Sequence, residues 1–237
     1  IDDGMITTSG CTDPYAENYN ADANVDDGSC AGYPDNGNYA LSFDGVDDWV
    51  GSFNNDLLRI SGDITIELDV KIPENVSNNN EEVEIILSYE GSGGSLEANS
   101  LYSIAITAEG YLRWQHEYDN GENVLLYSDV FVRDGNIHNI VISRDSDNKT
   151  LKFYDNNILV NDFSYESNAN GGDDGVFRFS YDQNSYDYSG LIIQSKIYNV
   201  FYDGNDIQDS GLISSWRFNA GQGDILYDHS GNQNHGT

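Results

Sequence analysis

The sequence predicts an all-β protein, an antiparallel two-sheet jelly-roll sandwich preceded by a small acidic loop module closed by a disulfide. From residue 38 onward, short stretches alternate between apolar and polar residues, which is the period of half-buried strands. Clusters of Asn, Asp, Gly and Ser separate these stretches, and strands do not alternate with helical patterns. Seventeen Tyr and a single Met also favour pleated strands over packed helices.

The strand pattern recurs along the whole chain, with turn-forming clusters between the strands. In chain order the predicted strands lie within 39–46, 63–72, 100–108, 111–118, 138–145, 150–163, 176–181, 191–201 and 212–219. The predicted turns are 77–82, 90–95, 119–123, 146–149, 168–175 and 182–187. Because no amphipathic helix longer than about ten residues is visible, we expect β structure throughout.

The charge of the chain excludes several classes of protein. Its 237 residues include 41 acidic and 10 basic side chains, which gives a formal net charge of −31. This balance excludes nucleic-acid binding through phosphate neutralisation and attraction to a membrane through a polybasic patch. No apolar run reaches about 18 residues, so no membrane insertion is predicted. Because the chain starts at Ile1 without a signal peptide, we expect a processed chain or a piece of a longer one.

Residues 1–37 form a predicted head with eight acidic side chains, no basic one, and both cysteines of the chain, Cys11 and Cys30. A disulfide between them would close a loop of about 20 residues, worth roughly 3 kcal/mol in the chain-entropy model. Such a bond forms in an oxidising compartment and therefore predicts a secreted, extracellular protein. The alternative, two free thiols in a cytosolic protein, leaves a head that has almost no core.

The head also offers a candidate Ca²⁺ loop. The predicted ligands are Asp13, Asn20, Asp22, Asn24, Asp26 and Asp27. The last four resemble the first half of a D-x-[DN]-x-[DN]-G loop, with one extra residue before Gly28. Alternate oxygen side chains in such a loop converge on one hard cation. The alternative is a solvated turn, and the place of the bidentate Glu in an EF-hand falls on Tyr33.

Two further acidic groups are weaker metal candidates. Asp44, Asp47 and Asp48 fall in one predicted turn, where an acidic strand end without a metal is an equally good interpretation. Asp173 and Asp174 form a third candidate in the predicted turn at 168–175.

Glycoside hydrolysis would require a pair of carboxylates, which lie about 5–5.5 Å apart in retaining enzymes. Glu67 and Asp69 alternate along one predicted strand and therefore share a face. Lys71 and Ile72 occupy the positions where a second Glu should follow, so the acid/base partner is missing. The sequence therefore predicts a non-catalytic protein in which Glu67 and Asp69 form an outward acidic stripe.

The stretch 111–118 is the best candidate for glycan contacts. A sugar ring stacks on an aromatic side chain while polar groups hold its hydroxyls. If Leu112 points inward, Tyr111, Arg113 and Gln115 face outward and are the predicted glycan ligands. The alternative is an ordinary strand with one core face.

Six segments resemble, in order, the LamG-like jelly-roll domains of the concanavalin A-like lectin and glucanase superfamily. They are 40–50, 64–73, 137–145, 150–162, 189–200 and 212–237. The last, LISSWRFNAGQGDILYDHSGNQNHGT, is similar to the characteristic ending of the family. The resemblance implies a concanavalin A-like fold, glycan binding, core or rim positions for Trp49 and Trp216, and a structural role for His138. It also implies a structural Ca²⁺, but Ile193 and Gln194 occupy the place of its usual carboxylate.

Residues 10–30, GCTDPYAENYNADANVDDGSC, resemble Cys-bounded acidic repeats of marine bacterial surface proteins, loosely similar to thrombospondin type 3 repeats. Together the two resemblances imply a multi-modular cell-surface or secreted parent protein. We expect two parts, a head at 1–37 and a LamG-like domain at 38–237. In the second part, 212–237 is either a closing strand segment or the start of a further repeat.

Three functions follow from these patterns. The first is a non-catalytic extracellular module for adhesion, which binds a glycan or a neighbouring surface protein and is stabilised by Ca²⁺. The second is a structural repeat that assembles head to tail with further copies into a filament or surface layer. The third and least favoured is a glycoside hydrolase.

Overall fold

A computed structural model describes residues 6–52, 56–74, 83–95, 98–118, 122–170, 175–180, 187–205, 207 and 211–237. Within these ranges the chain forms strands and no α-helix, and no described segment is a helix that could span a membrane. The strands are β1 (Ser9–Gly10), β2 (Val25–Asp26), β3 (Leu41–Asp44), β4 (Val50–Gly51), β5 (Ile64–Lys71), β6 (Val83–Ser95), β7 (Ala98–Thr107), β8 (Tyr111–Tyr118), β9 (Glu122–Phe131), β10 (Ile137–Asp145), β11 (Thr150–Asp155), β12 (Ile158–Ser164), β13 (Gly175–Phe179), β14 (Ser189–Tyr198) and β15 (Leu212–Trp216).

Two large antiparallel sheets pack face to face, which confirms the predicted sandwich. The seven-stranded sheet has the order β12-β11-β10-β5-β14-β15, and β3 pairs with the first half of β14. The six-stranded sheet has the order β4-β13-β6-β7-β8-β9. In the head, β1 and β2 form a short parallel pair.

Alternation along the strands builds the core between the two sheets. The apolar residues of β5 are fully buried, while Glu67 and Asp69 between them remain partly exposed. One continuous cluster joins these residues to the fully buried Trp114 and Trp216. The family resemblance therefore placed Trp216 in the core correctly.

A guanidinium group lies inside this core. Arg144 in β10 is fully buried and lies over the Trp114 ring, with 5.6 Å to the ring centroid. It donates hydrogen bonds of 2.7–3.2 Å to the carbonyl oxygens of Ile60, Gly62 and Leu101. Burial lowers the pKa of Arg144 to about 10, so the group remains charged at neutral pH. It therefore connects the segment before β5 to β7.

The long strands β6 and β9 were not predicted from the alternation, and neither were the two-residue strands β1, β2 and β4. Residues 90–95 were expected to form a turn, but β6 continues through them. Gly175 in β13, which is paired with Gly91, allows a close backbone approach, because a Cβ on Gly175 would clash with the Glu90 carbonyl. The stretch at 150–163 is a hairpin rather than one strand, with positive φ at Asn156 and Asn157 in its two-residue turn.

Residues 212–237 join the edges of the two sheets. The end of β15 bridges to Asp228, and Leu226 bridges to Gly236. The residue after Gly236 exchanges two backbone hydrogen bonds with Gly51 in β4. The segment therefore runs from the seven-stranded sheet to the six-stranded sheet and covers the outer edge of β4.

Asp228 organises this closing segment. Its carboxylate accepts hydrogen bonds from the backbone N–H groups of Ser215, Ser230 and Asn234 and from the Ser230 hydroxyl, all at 2.8–3.0 Å. Burial raises the pKa of Asp228, and these hydrogen bonds oppose that effect. The family-like ending is therefore a self-bonded loop attached to β15.

The head is closed by the predicted disulfide and lies against the closing segment. Cys11 and Cys30 are bonded, and both are buried. Asp13 beside them is 1% exposed and accepts hydrogen bonds from the Tyr33 hydroxyl at 2.6 Å and from His235 Nε2 at 2.7 Å. Burial raises the pKa of Asp13, but these hydrogen bonds outweigh it and hold the pKa below its usual value.

The contact between head and closing segment is mainly aromatic. Tyr33 stacks on Tyr227 with 5.9 Å between ring centroids, and Tyr15 meets the edge of His235 at 5.4 Å. His235 Nδ1 accepts the backbone N–H of Asp228, so its proton lies on Nε2, facing Asp13. The division of the chain between residues 37 and 38 stays a prediction.

Candidate functional site

The outer face of the six-stranded sheet carries a row of polar residues across its strands. The register pairs Arg178 in β13 with Ser88 in β6, Ser88 with Ser103 in β7, and Ser103 with Gln115 in β8. Gln115 is in turn paired with Leu125 in β9. Directly opposite residues of antiparallel strands point to the same side, and their chain neighbours lie in the core. We call this surface the six-stranded face.

The three residues predicted as glycan ligands lie on this face. Tyr111 is 40% exposed and Arg113 is partly exposed, whereas Gln115 is only 2% exposed. Arg113 donates a 3.0 Å hydrogen bond to the Gln115 side chain, which donates one of 3.4 Å to Asn123. Gln115 therefore positions Arg113 from beneath, and the open contacts belong to its neighbours.

Exposed apolar side chains of β9 flank this network. Tyr127, paired with Arg113, is 57% exposed, and Leu125 beside it is 42% exposed. Phe131 meets Tyr111 edge to face, with ring centroids 5.3 Å apart. The sequence analysis missed Tyr127 and Phe131 because it did not predict β9. Their exposed rings are the kind of surface on which a sugar ring stacks.

A second aromatic residue lies at the opposite end of the row. The ring of Trp49 stands 5.5 Å below the Arg178 guanidinium and is 44% exposed. A Cβ on Gly51 would come within 2.9 Å of this ring, so the glycine lets the ring lie flat against β4. Trp49 was expected in the core or at its rim, and its exposure assigns it to the rim.

The floor of the face is polar. The hydroxyls of Ser88 and Ser103 are buried and have no hydrogen-bond partner among the described residues. Buried hydroxyl groups are nearly always hydrogen-bonded, to protein or to water. Glu90 and Glu117 lie on the same face, on the side of the row away from Arg113, and burial raises the pKa of Glu117.

On the outside of the seven-stranded sheet, Glu67 and Asp69 form the outward stripe that was predicted. Glu67 pairs with Lys196 at 3.2 Å. Asp69 accepts hydrogen bonds from Asn139 at 2.7 Å and Gln194 at 2.6 Å. These bonds account for the carboxylates without a catalytic role.

The acidic residues among the predicted head ligands do not form a group of three or more converging carboxylates within the described ranges. Asp13 is buried at the contact with the closing segment. Among the others, Asn20 accepts the backbone N–H of Asp22, and Asn24, Asp26 and Asp27 accept nearby backbone N–H groups at 2.9–3.0 Å. The bonds of Asn20, Asp26 and Asp27 are those of Asx turns, whereas Asn24 is bonded to Thr8, 16 positions away in the chain. A Ca²⁺ site in the head stays a prediction.

Carboxylates do converge at the turn between β3 and β4. Asp44, Asp47 and Asp48 are exposed, and each offers a carboxylate oxygen within 4.8 Å of the others. Within the described ranges this is the one acidic group with that geometry. Oxygen ligands of this kind suit Ca²⁺, so the triad could hold a metal. Asp173 and Asp174 lie outside the described residues.

A separate cleft of about 490 Å³ lies beside the closing segment. Tyr39, Leu41, Val50, Phe218 and the loop at 219–227 line it. Its volume is typical of ligand pockets, and its walls are largely apolar. No ligand site was predicted for this region from the sequence.

Two histidines have structural roles. His138 is buried, and its ring nitrogens are hydrogen-bonded to the carboxylates of Asp155 at 3.0 Å and Asp134 at 3.1 Å. Burial lowers the pKa of His138, but the two carboxylates outweigh it and raise the pKa overall. This agrees with the structural position that the family resemblance implied. His116 is fully buried, and its Nδ1 accepts the Trp114 indole N–H. Burial lowers the pKa of His116 to about 4.

Comparisons with known proteins agree with this architecture. Residues 43–208 match the family model of the concanavalin A-like lectin/glucanases superfamily. No curated protein sequence is significantly similar to the chain.

Several solved structures have a similar fold. The CBM40 module of a Ruminococcus gnavus sialidase, bound to α2,3-sialyllactose, aligns with a TM-score of 0.55 at 15% identity, over 70% of this chain and 92% of that one. A putative carbohydrate binding protein from Bacteroides ovatus gives 0.56 at 12%, over 83% and 58%. A Streptococcus pneumoniae sialidase gives 0.51 at 15%, over 70% and 26%. At these identities the likeness shows the fold alone.

Proposed function

Because this chain belongs to the concanavalin A-like lectin/glucanases superfamily, we propose that it is a non-catalytic, extracellular glycan-binding module. The observation that carries the proposal is the six-stranded face, where exposed rings flank a hydrogen-bonded polar network. Tyr127 and Tyr111 supply stacking surface, and Arg113 is held in place by Gln115. Two proteins of similar fold are described as carbohydrate-binding, one of them bound to sialyllactose.

Two further observations support the non-catalytic and extracellular parts of the proposal. Glu67 and Asp69, which were predicted to form an outward acidic stripe without an acid/base partner, are hydrogen-bonded on the opposite sheet. The bond between Cys11 and Cys30 is of a kind that persists in oxidising compartments. Adhesion through a surface glycan is the role that combines these properties.

We further propose that Ca²⁺ stabilises the module at the Asp44 triad. The triad lies where the chain crosses from β3 in one sheet to β4 in the other. A cation there would offset the repulsion of three converging carboxylates and fix the crossover.

The binding proposal is tested by a glycan array followed by calorimetry on Tyr127→Ala. We expect a loss of roughly tenfold in affinity for the best glycan, with an unchanged melting temperature, because Tyr127 is exposed. Tyr19→Ala is the matched control, since Tyr19 is 46% exposed but lies in the head. Equal losses in both variants, or none in Tyr127→Ala, would contradict the assignment of the face.

The structural-repeat alternative makes a different prediction. A self-assembling subunit would form larger species with rising concentration in light scattering, and glycan would not be needed. A monomer at all concentrations would contradict it.

A further inference from the structure

We propose that the ligand of the six-stranded face is an acidic polysaccharide chain held at two separate points, by Arg113 and by Arg178. The inference rests on the glycan-binding function proposed above and specifies the charge and the extent of the ligand. The shared chemistry is an anionic oxygen group, either a carboxylate or a sulfate, repeated along the chain.

The first argument is the charge balance around the two arginines. In a protein with 41 acidic and 10 basic side chains, several cations form ion pairs with carboxylates. Lys196 pairs with Glu67, and Arg133 pairs with Glu84. By contrast, Arg113 and Arg178 have no carboxylate partner among the described residues. The Nε of each is buried without a hydrogen bond there, as is the Nε of the paired Arg133.

The second argument is that both arginine side chains are already held in place. Arg113 is hydrogen-bonded to Gln115, and Arg178 lies over the Trp49 ring. Ordering a long side chain in advance reduces the entropy lost when a ligand binds. A guanidinium presents a planar fork of donors that matches carboxylate and sulfate-like oxygen groups, which a neutral sugar does not provide.

The third argument is the distance between the two arginines. Their strands, β13 and β8, are separated by β6 and β7, so three strand spacings, or about 14 Å, lie between their backbones. Arg178 leans toward Trp49, which directly precedes β4, and away from Arg113. One terminal acidic group cannot contact both guanidinium groups, whereas a chain with an acidic group on successive rings can.

The remaining side chains of the face define the path of such a chain. Ser88 and Ser103 lie between the two arginines and offer hydroxyls without partners among the described residues. Glu90 and Glu117 stand on the far side of this row and would repel an acidic chain. The ligand is therefore expected on the side of the row where Arg113 and Tyr127 lie. The exposed Asp129 of β9 is on that side too, where its carboxylate accepts a 2.9 Å hydrogen bond from Asn161.

The overall charge of the protein adds a salt dependence. A protein of charge −31 repels a polyanion at long range, and the Debye length falls from about 30 Å at 0.01 M to about 8 Å at 0.15 M salt. Contact pairs with partly buried guanidinium groups are screened much less. We therefore expect affinity to increase when salt is raised from about 0.01 to 0.15 M, the reverse of ordinary polyanion binding.

The experiment is calorimetry of the whole chain with oligogalacturonides of increasing length, with their carboxyl-reduced forms, and with chondroitin sulfate before and after desulfation. We expect affinity to rise with length until both arginines are engaged and to be lost on carboxyl reduction. Selective loss on desulfation would identify sulfate as the recognised group. Arg113→Gln and Arg178→Gln should each cost about tenfold with the long oligomer. Arg217→Gln, at an exposed arginine after β15, is the matched control and should change nothing.

Three outcomes would overturn the inference. Equal affinity for the carboxyl-reduced and native oligomers would show a neutral ligand and leave the glycan-binding function standing. Equal affinity for sialyllactose and for long acidic oligomers would show that the ligand contacts only one of the two arginines. If the folded protein binds no glycan of any charge, the proposed function fails together with the inference.

Discussion

The outer faces of the two sheets differ in how their polar groups are satisfied. On the seven-stranded sheet, Glu67 is paired with Lys196, and Asp69 is bonded to both Asn139 and Gln194. On the six-stranded face, two arginines lack acidic partners among the described residues, and large apolar rings remain exposed.

This difference indicates which surface is used for recognition. Groups that satisfy one another have little to gain from a ligand, because binding would first break existing bonds. Side chains that are already ordered but have no partner gain the full interaction energy with a ligand. If the recognition surface were chosen by its number of charged side chains, it would be the acidic stripe of β5. If it is chosen by charged side chains that lack a partner, it is the six-stranded face.

The largest expected effect comes from breaking the core that supports both faces. Arg144→Met leaves the carbonyls of Ile60, Gly62 and Leu101 without their donor, so we expect a loss of at least about 3 kcal/mol in the free energy of unfolding. Urea denaturation measures it. The exposed Arg59→Met is the control and should stay within about 0.5 kcal/mol. A stable Arg144→Met protein would show that the carbonyls find other donors.

Acid should weaken the core next. The pKa values of His116 and His229 are lowered by burial to about 4, below the usual 6.5, so the unfolded chain takes up protons first. The contribution of these two histidines to the free energy of unfolding is therefore complete above pH 6.5 and is lost as the pH drops toward 4. For the fully buried His116 the loss is roughly 2–3 kcal/mol.

His138, near the start of β10 in the seven-stranded sheet, contributes to the pH dependence of stability with the opposite sign. Its raised pKa contributes stability below about pH 6.5, and this contribution is lost as the pH rises through the folded value. Melting temperatures across pH, for the protein and for His138→Gln, separate the two effects. A profile of His138→Gln that is as steep on the alkaline side would contradict this assignment.

Calcium removal tests the crossover between the sheets. If Ca²⁺ at about 100 times its dissociation constant occupies the Asp44 triad, chelation with EGTA should cost about 2.7 kcal/mol. Asp47→Asn should abolish the response while Asp22→Asn in the head leaves it intact. The reverse result would place the ion in the head, and no response would contradict the calcium proposal.

The smallest effect is expected on the self-satisfied face. Lys196→Met removes a partly exposed pair with Glu67, so we expect a change of at most about 1 kcal/mol in stability and none in glycan affinity. A loss of affinity would show that the seven-stranded sheet takes part in recognition and would remove the contrast between the faces.

The sequence was sufficient for the sandwich because its strands alternate clearly, as in β5 and β8. It did not reveal β9, whose run VLLY hides the alternation, and so Tyr127 was missed. Gln115 was predicted to be exposed because strand alternation shows which face of the sheet a side chain is on. It does not show whether neighbouring side chains cover that residue. Arg178 and Trp49 belong to the same surface as β8 only because strands from distant parts of the chain pair in one sheet. Pairing order, rather than strand identity, was the missing information.

The bond between Asp13 and His235 joins residues that are 222 positions apart in the chain. At a synthesis rate of about 5–20 residues per second, roughly 10–45 seconds separate the appearance of these two side chains. During that interval the Cys11–Cys30 loop can close, but the Asp13 carboxylate lacks the hydrogen bond that it accepts from His235 Nε2. The head therefore acquires its final surroundings only when the closing segment emerges, so this contact forms well after the head itself has been synthesised.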